Sequence, residues 1–165
     1  MPKPHPQPEN SRPARPASPA QFPRHVENFR AAAQQFADTL RAAFANPLIQ
    51  GEPEIQIAQP VRDLLASVLN NNVQTSLEVH SRQVRGIHDI GVSVDGLLCG
   101  FVELKAPGRG AKTSAFKGHD KEQWERFREL PNILYTDACE WALYRTGAQT
   151  AADGKPILVR LDGII

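Results

Sequence analysis

Ile87-His88-Asp89-Ile90-Gly91-Val92-Ser93-Val94, then Asp95-Gly96, then Leu97-Leu98-Cys99-Gly100-Phe101-Val102-Glu103-Leu104-Lys105 is the stretch whose reading decides the fold. Two largely apolar runs flank Asp-Gly, a dipeptide favoured in two-residue primed turns, and so predict a β-hairpin. Side chains alternate along a strand, which places Glu103 and Lys105 on one face and turns Leu104 to the other, into a core. Asp89 can add a second carboxylate from the neighbouring strand. Two converging oxygen donors suit a hard cation such as magnesium, and the lysine beside them can hold a reacting water.

The register sets a condition on that reading. A regular hairpin with a two-residue turn at Asp95-Gly96 pairs position 102 with Asp89, leaving the two carboxylates on opposite faces. An odd loop or a bulge between Ser93 and Gly100, or near Gly91, is required to bring Glu103 opposite Asp89. Gly91 and Gly100 are the candidate bulge positions.

Further blocks follow in order: Glu103-Leu-Lys-Ala-Pro-Gly-Arg-Gly110, Phe116-Lys-Gly-His-Asp-Lys-Glu-Gln-Trp-Glu-Arg-Phe127, Leu130-Pro-Asn-Ile-Leu-Tyr-Thr-Asp137 and Glu140-Trp-Ala-Leu-Tyr144. With Asp89 they resemble the PD-(D/E)xK nuclease superfamily. More narrowly, residues 50 to 147 resemble the N-terminal nuclease domain of restriction-modification polypeptides that also carry an adenine-specific DNA methyltransferase. His88 stands where that superfamily usually has proline, a departure read here as shaping the backbone and not the chemistry.

The resemblance implies an α/β domain of restriction-endonuclease-like fold, a central mixed sheet flanked by helices. It also implies magnesium-dependent phosphodiester hydrolysis of DNA, with manganese as a substitute. Asp89 and Glu103 would be metal ligands and Lys105 catalytic. A further metal-directed glutamate on the helix before the sheet would be Glu54, with Glu52 as fallback; the alternative is that either acid only complements the positive end of the helix dipole. Gln123, four residues before Phe127, matches a Gln-x-x-x-Tyr element and would orient the lysine or the scissile phosphate. It also lies three residues after Asp120, a capping-box spacing, and a glutamine folded back on the helix start cannot reach the site.

Composition bounds the rest. A chain of 165 residues, 41% hydrophobic, is about one domain, with no room for a methyltransferase. It has no apolar run of ~20 residues for a membrane span and no signal-peptide start, so a cytoplasmic location is expected. Cys99 and Cys139 suggest neither a disulfide framework nor a zinc site. The formal net charge of +1 hides a local excess: Arg109, Lys112, Lys117 and Lys121 follow the Glu-x-Lys and are candidates for DNA-backbone contact, although mixed-sign surface helices are common.

Residues 1–24 are proline-rich and polar and are expected to be a disordered tail, with residues 25–165 as the domain. Apolar spacing predicts helices over about 26 to 45 and from Glu52 to the Asn70-Asn71-Asn72 run. A first strand is expected around Leu77, Val79 and Val84, then the hairpin, a helix from about Lys121 to Leu130, and strands at 133–136, 140–145 and 157–161. The expected partners are DNA and a methyltransferase or specificity subunit, fused or separate, with no membrane. The alternative function is a non-catalytic DNA-binding or interaction module.

Overall fold

The computed structural model describes residues 22–45, 51–68, 72–81, 86–145 and 155–163. Its elements run α1 (Phe22–Ala45), α2 (Pro53–Val68), β1 (Val73–Ser81), β2 (Gly86–Val94), β3 (Leu97–Leu104), α3 (His119–Phe127), β4 (Ile133–Thr136), β5 (Glu140–Tyr144) and β6 (Ile157–Arg160). The six strands form one sheet in chain order. All neighbours are antiparallel except β3 and β4, which are parallel and joined through α3. The expected α/β architecture with a mixed sheet is therefore present.

Element boundaries differ from the sequence reading in small, explicable ways. Helix α1 starts at Phe22, about four residues before the expected start. Pro23 sits in its first turn, where a missing N–H costs no intrahelical bond. Helix α3 begins at His119, two residues early, and stops at Phe127, with Leu130 reached through a turn closed by its own amide on the Phe127 carbonyl. Residues 1–21 of the expected tail and Val84 lie outside the described residues.

Two apolar clusters lie on the two faces of the sheet. On one, Phe36 and Leu40 of α1 and Ile57, Val61 and Leu64 of α2 pack with Ile90, Val102, Leu104 and Trp141. On the other, Phe127 of α3 packs with Phe101, Phe116, Leu130, Ile133, Tyr135 and Ala142. Strand β3 thus sends Val102 and Leu104 to the first face and Phe101 to the second, as period-2 alternation requires.

Two irregularities in the β1–β2–β3 ribbon decide where the polar residues go. The first is the required bulge. Asp95 and Gly96, with φ of 50° and 76°, form a two-residue turn between Val94 and Leu97. Ser93 pairs with Leu98 but Val92 pairs with Gly100, so Cys99 is the extra residue and the register shifts by one. Ile90 then faces Val102. The second irregularity lies between β1 and β2. Leu77 pairs with Ile90 and Val79 with His88, while Glu78, at φ 50°, and Asp89 drop out of the ladder between them. Val79 packs against the α3-side cluster, and Leu77 lines a cleft beside α2. Side chains on both strands therefore exchange faces at this point.

Gly100 marks the place where β3 passes closest to the loop before β4. A Cβ there would lie 2.6 Å from the backbone oxygen of Asn132, an atom that also accepts the Phe101 amide. Gly100→Ala is expected to destabilise the fold by roughly 1–3 kcal/mol, because the obstacle is backbone and cannot rotate away. Urea unfolding measures this, and an unchanged midpoint would contradict the packing described.

Candidate active site

Glu103 is 1% exposed, an unusual position for a carboxylate. Both of its oxygens have partners: Oε1 lies 2.6 Å from His88 Nδ1, and Oε2 accepts from Gln123 Nε2 at 2.8 Å. Gln123 turns its other end to Lys105, whose ammonium donates to Oε1 at 2.7 Å and pairs with Asp120 at 2.8 Å. Lys105, 5% exposed, also lies over the rings of Phe116 and Tyr135. One glutamine thereby bridges the glutamate and the lysine, on the α3 side of the sheet. The capping-box alternative is excluded, since the residue before α3 is Gly118 and no side chain caps the helix start.

Asp89 is placed differently from expectation. A single shared face with Glu103 and Lys105 does not form, because the exchange of faces at Glu78 and Asp89 puts His88 beside Glu103 in its stead. Asp89 Oδ2 accepts the Leu104 amide at 2.7 Å, standing in for a ladder bond where β2 leaves β3. It lines a cleft of about 320 Å³ with Glu54, Ile55, Ala58, Leu77, Glu78 and Leu104. Glu54 comes from the first turn of α2, and its Oε1 accepts the Ala106 amide at 3.2 Å. Glu54 therefore shares the cleft of Asp89, whose lining includes neither Glu103 nor Lys105; Glu52, the fallback, is exposed. The site thus has two halves at the end of β3, with Asp89 and Glu54 on the α2 side and Glu103, Gln123 and Lys105 on the α3 side.

Electrostatics joins the halves. Burial, then the negative charge of Asp89, pushes the Glu103 pKa up to about 9, against the pull of Lys105. Asp89 is itself raised, by burial first and by Glu54 among its neighbours, although the Leu104 amide and Lys105 oppose this. His88 is lowered to about 4 by burial despite the nearby Asp89, so its contact with Glu103 is a hydrogen bond of a neutral imidazole and not an ion pair. Burial raises Asp120, but Lys105 and Arg109 outweigh it and hold that carboxyl below its ordinary value. Lys105 is thus committed to Asp120, and Asp89 and Glu103 repel across the strand end.

Compared with protein-family models, curated proteins and solved structures, the chain finds no match. What the site can do rests on its own chemistry. Among the described residues no three His, Cys, Asp or Glu side chains are grouped so as to hold a metal ion. The donor chemistry is that of a hard divalent cation: Asp89, Glu103 and Glu54 supply carboxylate oxygens, and burial raises both Asp89 and Glu103.

The loop after Lys105 is fixed by a buried aspartate. Asp137, 2% exposed, accepts the amides of Gly108 (3.2 Å), Gly110 (2.8 Å), Cys139 (3.0 Å) and Glu140 (2.7 Å). Arg109 projects between the two clamped glycines, 66% exposed, and reaches Asp120 at 3.2 Å. Lys112, Lys117 and Lys121 are exposed along the same loop and helix start. Lys112 lies 3.8 Å from Glu140. Trp141 and Tyr135 are core residues, and Tyr144 accepts the Thr113 amide, so none of these aromatic rings is displayed as a stacking platform. Cys99 occupies the bulge and Cys139 the turn after β4, and neither is in a disulfide.

Glu103 has an ordinary pKa of 4.5 and a folded value raised to about 9. Stability tied to its proton is therefore complete below the ordinary value and is lost as pH rises toward the raised one. Glu103→Gln, fixed in the neutral form, should melt close to the wild type near the lower of these pH values and increasingly above it as pH climbs toward the upper one. Thermal melts across that range test this. Parallel pH profiles for the two proteins would contradict the burial and repulsion assigned to Glu103.

Proposed function

We propose that this chain is a magnesium-dependent DNA endonuclease of PD-(D/E)xK type, with a restriction-endonuclease-like fold, serving a restriction-modification or phage-defence system. The observation that carries the reading is the pairing of a buried Glu103 with Lys105 through one glutamine, while Asp89 bonds the intervening Leu104 amide. A structural salt bridge needs no second carboxylate set against the first.

Asp89 and Glu103, with Glu54 beside them, would hold a divalent cation, which would supply Lewis-acid chemistry toward a phosphate oxygen and a bound water. The chain's own groups do the rest. Lys105 carries a fixed positive charge at the end of β3 and can stabilise negative charge developing on the phosphate. Gln123 holds that ammonium and the Glu103 carboxylate at a set separation. Arg109, Lys112, Lys117 and Lys121 form a basic rim next to the site and suit the backbone of a polyanion. Sequence choice comes from a partner, a methyltransferase or specificity subunit, since this rim offers charge and not base-reading geometry. A cytoplasmic setting agrees with this role, and no helix among the described residues is long and apolar enough to cross a membrane.

A second reading, a DNA-binding or interaction module without catalysis, is favoured by the division of the carboxylates into two halves and by the engagement of Lys105 with Asp120. Cleavage assays separate the two, because a binding module retards DNA with or without magnesium and leaves it intact.

Asp89→Ala and Glu103→Gln should reduce magnesium-dependent cleavage to background while retaining cooperative melts, since each alters a polar site and not a core side chain. Activity near wild type in either folded variant would remove the metal assignment. Lys105→Met should preserve cation affinity while single-turnover cleavage falls by about a hundredfold, ~3 kcal/mol of transition-state stabilisation. Calorimetric cation titration beside the kinetics checks this, and lost cation binding with a normal rate at saturating cation would reverse the roles.

A further inference from the structure

His88 is 0% exposed and is held on two sides by aromatic rings, Phe101 with its centroid at 4.2 Å and Phe127 at 4.3 Å. Its backbone is paired with Val79 of β1. The imidazole therefore has no freedom to turn, and its Nδ1 is aimed at Glu103 Oε1 at 2.6 Å. The other oxygen of the same carboxylate is set by Gln123. A glutamate has three side-chain torsions, and an unheld one would sample many rotamers before meeting a ligand. With one partner on each oxygen the carboxylate plane is fixed, and each oxygen keeps a further lone pair for another contact.

We infer that His88 is a positioning residue that orients the Glu103 carboxylate for a divalent cation, acting through its Nδ1–H and never touching the cation or the substrate. This rests on the reading of Glu103 as a cation ligand. It also departs from the pattern that the chain resembles, because the proline usual at this position has neither an N–H nor a side-chain donor. Donors that fix a ligating carboxylate from behind typically account for 10–100-fold in metal affinity. The exchange of faces at Glu78 and Asp89 is what makes the contact possible, since regular alternation would turn His88 away from Glu103.

The test is titration of the full chain with manganese, read by calorimetry without any nucleic acid. His88→Asn places an amide nitrogen close to the position of Nδ1, His88→Gln carries it farther out, and His88→Leu fills the space with no donor. The Asn variant should bind manganese within about threefold of the wild type, and the Gln and Leu variants about 10–100-fold more weakly. Wild-type affinity in a folded Leu or Gln variant would overturn the role of His88 while leaving Glu103 as a ligand. An Asn variant as weak as Leu would assign the effect to packing and overturn it as well. Absence of manganese binding by the wild type would remove the cation reading together with this inference. Should the variants fail to fold, the wild type decides alone. With magnesium bound, nitrogen-15 spectra of the imidazole should show the proton on Nδ1, and a bare Nδ1 would overturn the inference.

Discussion

Burial of the Glu103 carboxylate between His88 and Gln123 is the interaction on which the other features of the site depend. An ionised carboxylate taken out of water is costly unless charge or hydrogen bonds replace its hydration. Here two hydrogen bonds do part of that work, but Lys105 spends its charge on Asp120 and Asp89 adds repulsion. The site is consequently short of positive charge where its carboxylates lie. A bound divalent cation would relieve the shortage, and this physical deficit, together with the residue pattern, is what supports the proposed metal-dependent reaction.

The fold delivers these groups through departures from regular pairing. The bulge at Cys99 brings β2 and β3 into the register in which Ile90 faces Val102. The break at Glu78 and Asp89 then frees Asp89 from the ladder and lets its side chain bond the Leu104 amide. Beyond that point β3 continues beside β4 alone, with the Lys105 amide on the Thr136 carbonyl. The end of β3 is therefore open toward α2 on one side and covered by α3 on the other. Asp137 holds the following loop through the Gly108 and Gly110 amides and its own turn through those of Cys139 and Glu140, so Arg109 projects from a fixed base.

Much of this was legible in the residues. Asp95-Gly96 between apolar runs marked the hairpin, and simple counting showed that Asp89 and Glu103 could pair only through a bulge, which the structure contains at Cys99 and not at a glycine. Period-2 spacing placed Glu103 and Lys105 together correctly. Gln123 was open between two uses, and only tertiary geometry separates a glutamine that caps its own helix from one that reaches a neighbouring strand. The face of Asp89 was not legible. It depends on Glu78 adopting a positive φ, and a glutamate gives no signal for that conformation as glycine or asparagine would. The same break hid His88, whose spacing from Ile90 implied the opposite face. The engagement of Lys105 by Asp120, and the clamp formed by Asp137, join segments distant in sequence through side chains that look like ordinary helix-start and turn residues.

The central claim is that Asp89 and Glu103, approaching from opposite sides of the end of β3, share one cation. Anomalous diffraction from crystals equilibrated with manganese tests it most directly. The expected result is a single strong peak bounded by the carboxylates of Asp89 and Glu103, at oxygen distances of ~2.1–2.2 Å, with Glu103 still bonded to His88 and Gln123. A well-ordered structure with no peak there, or with manganese only at surface carboxylates remote from Glu103, would contradict it.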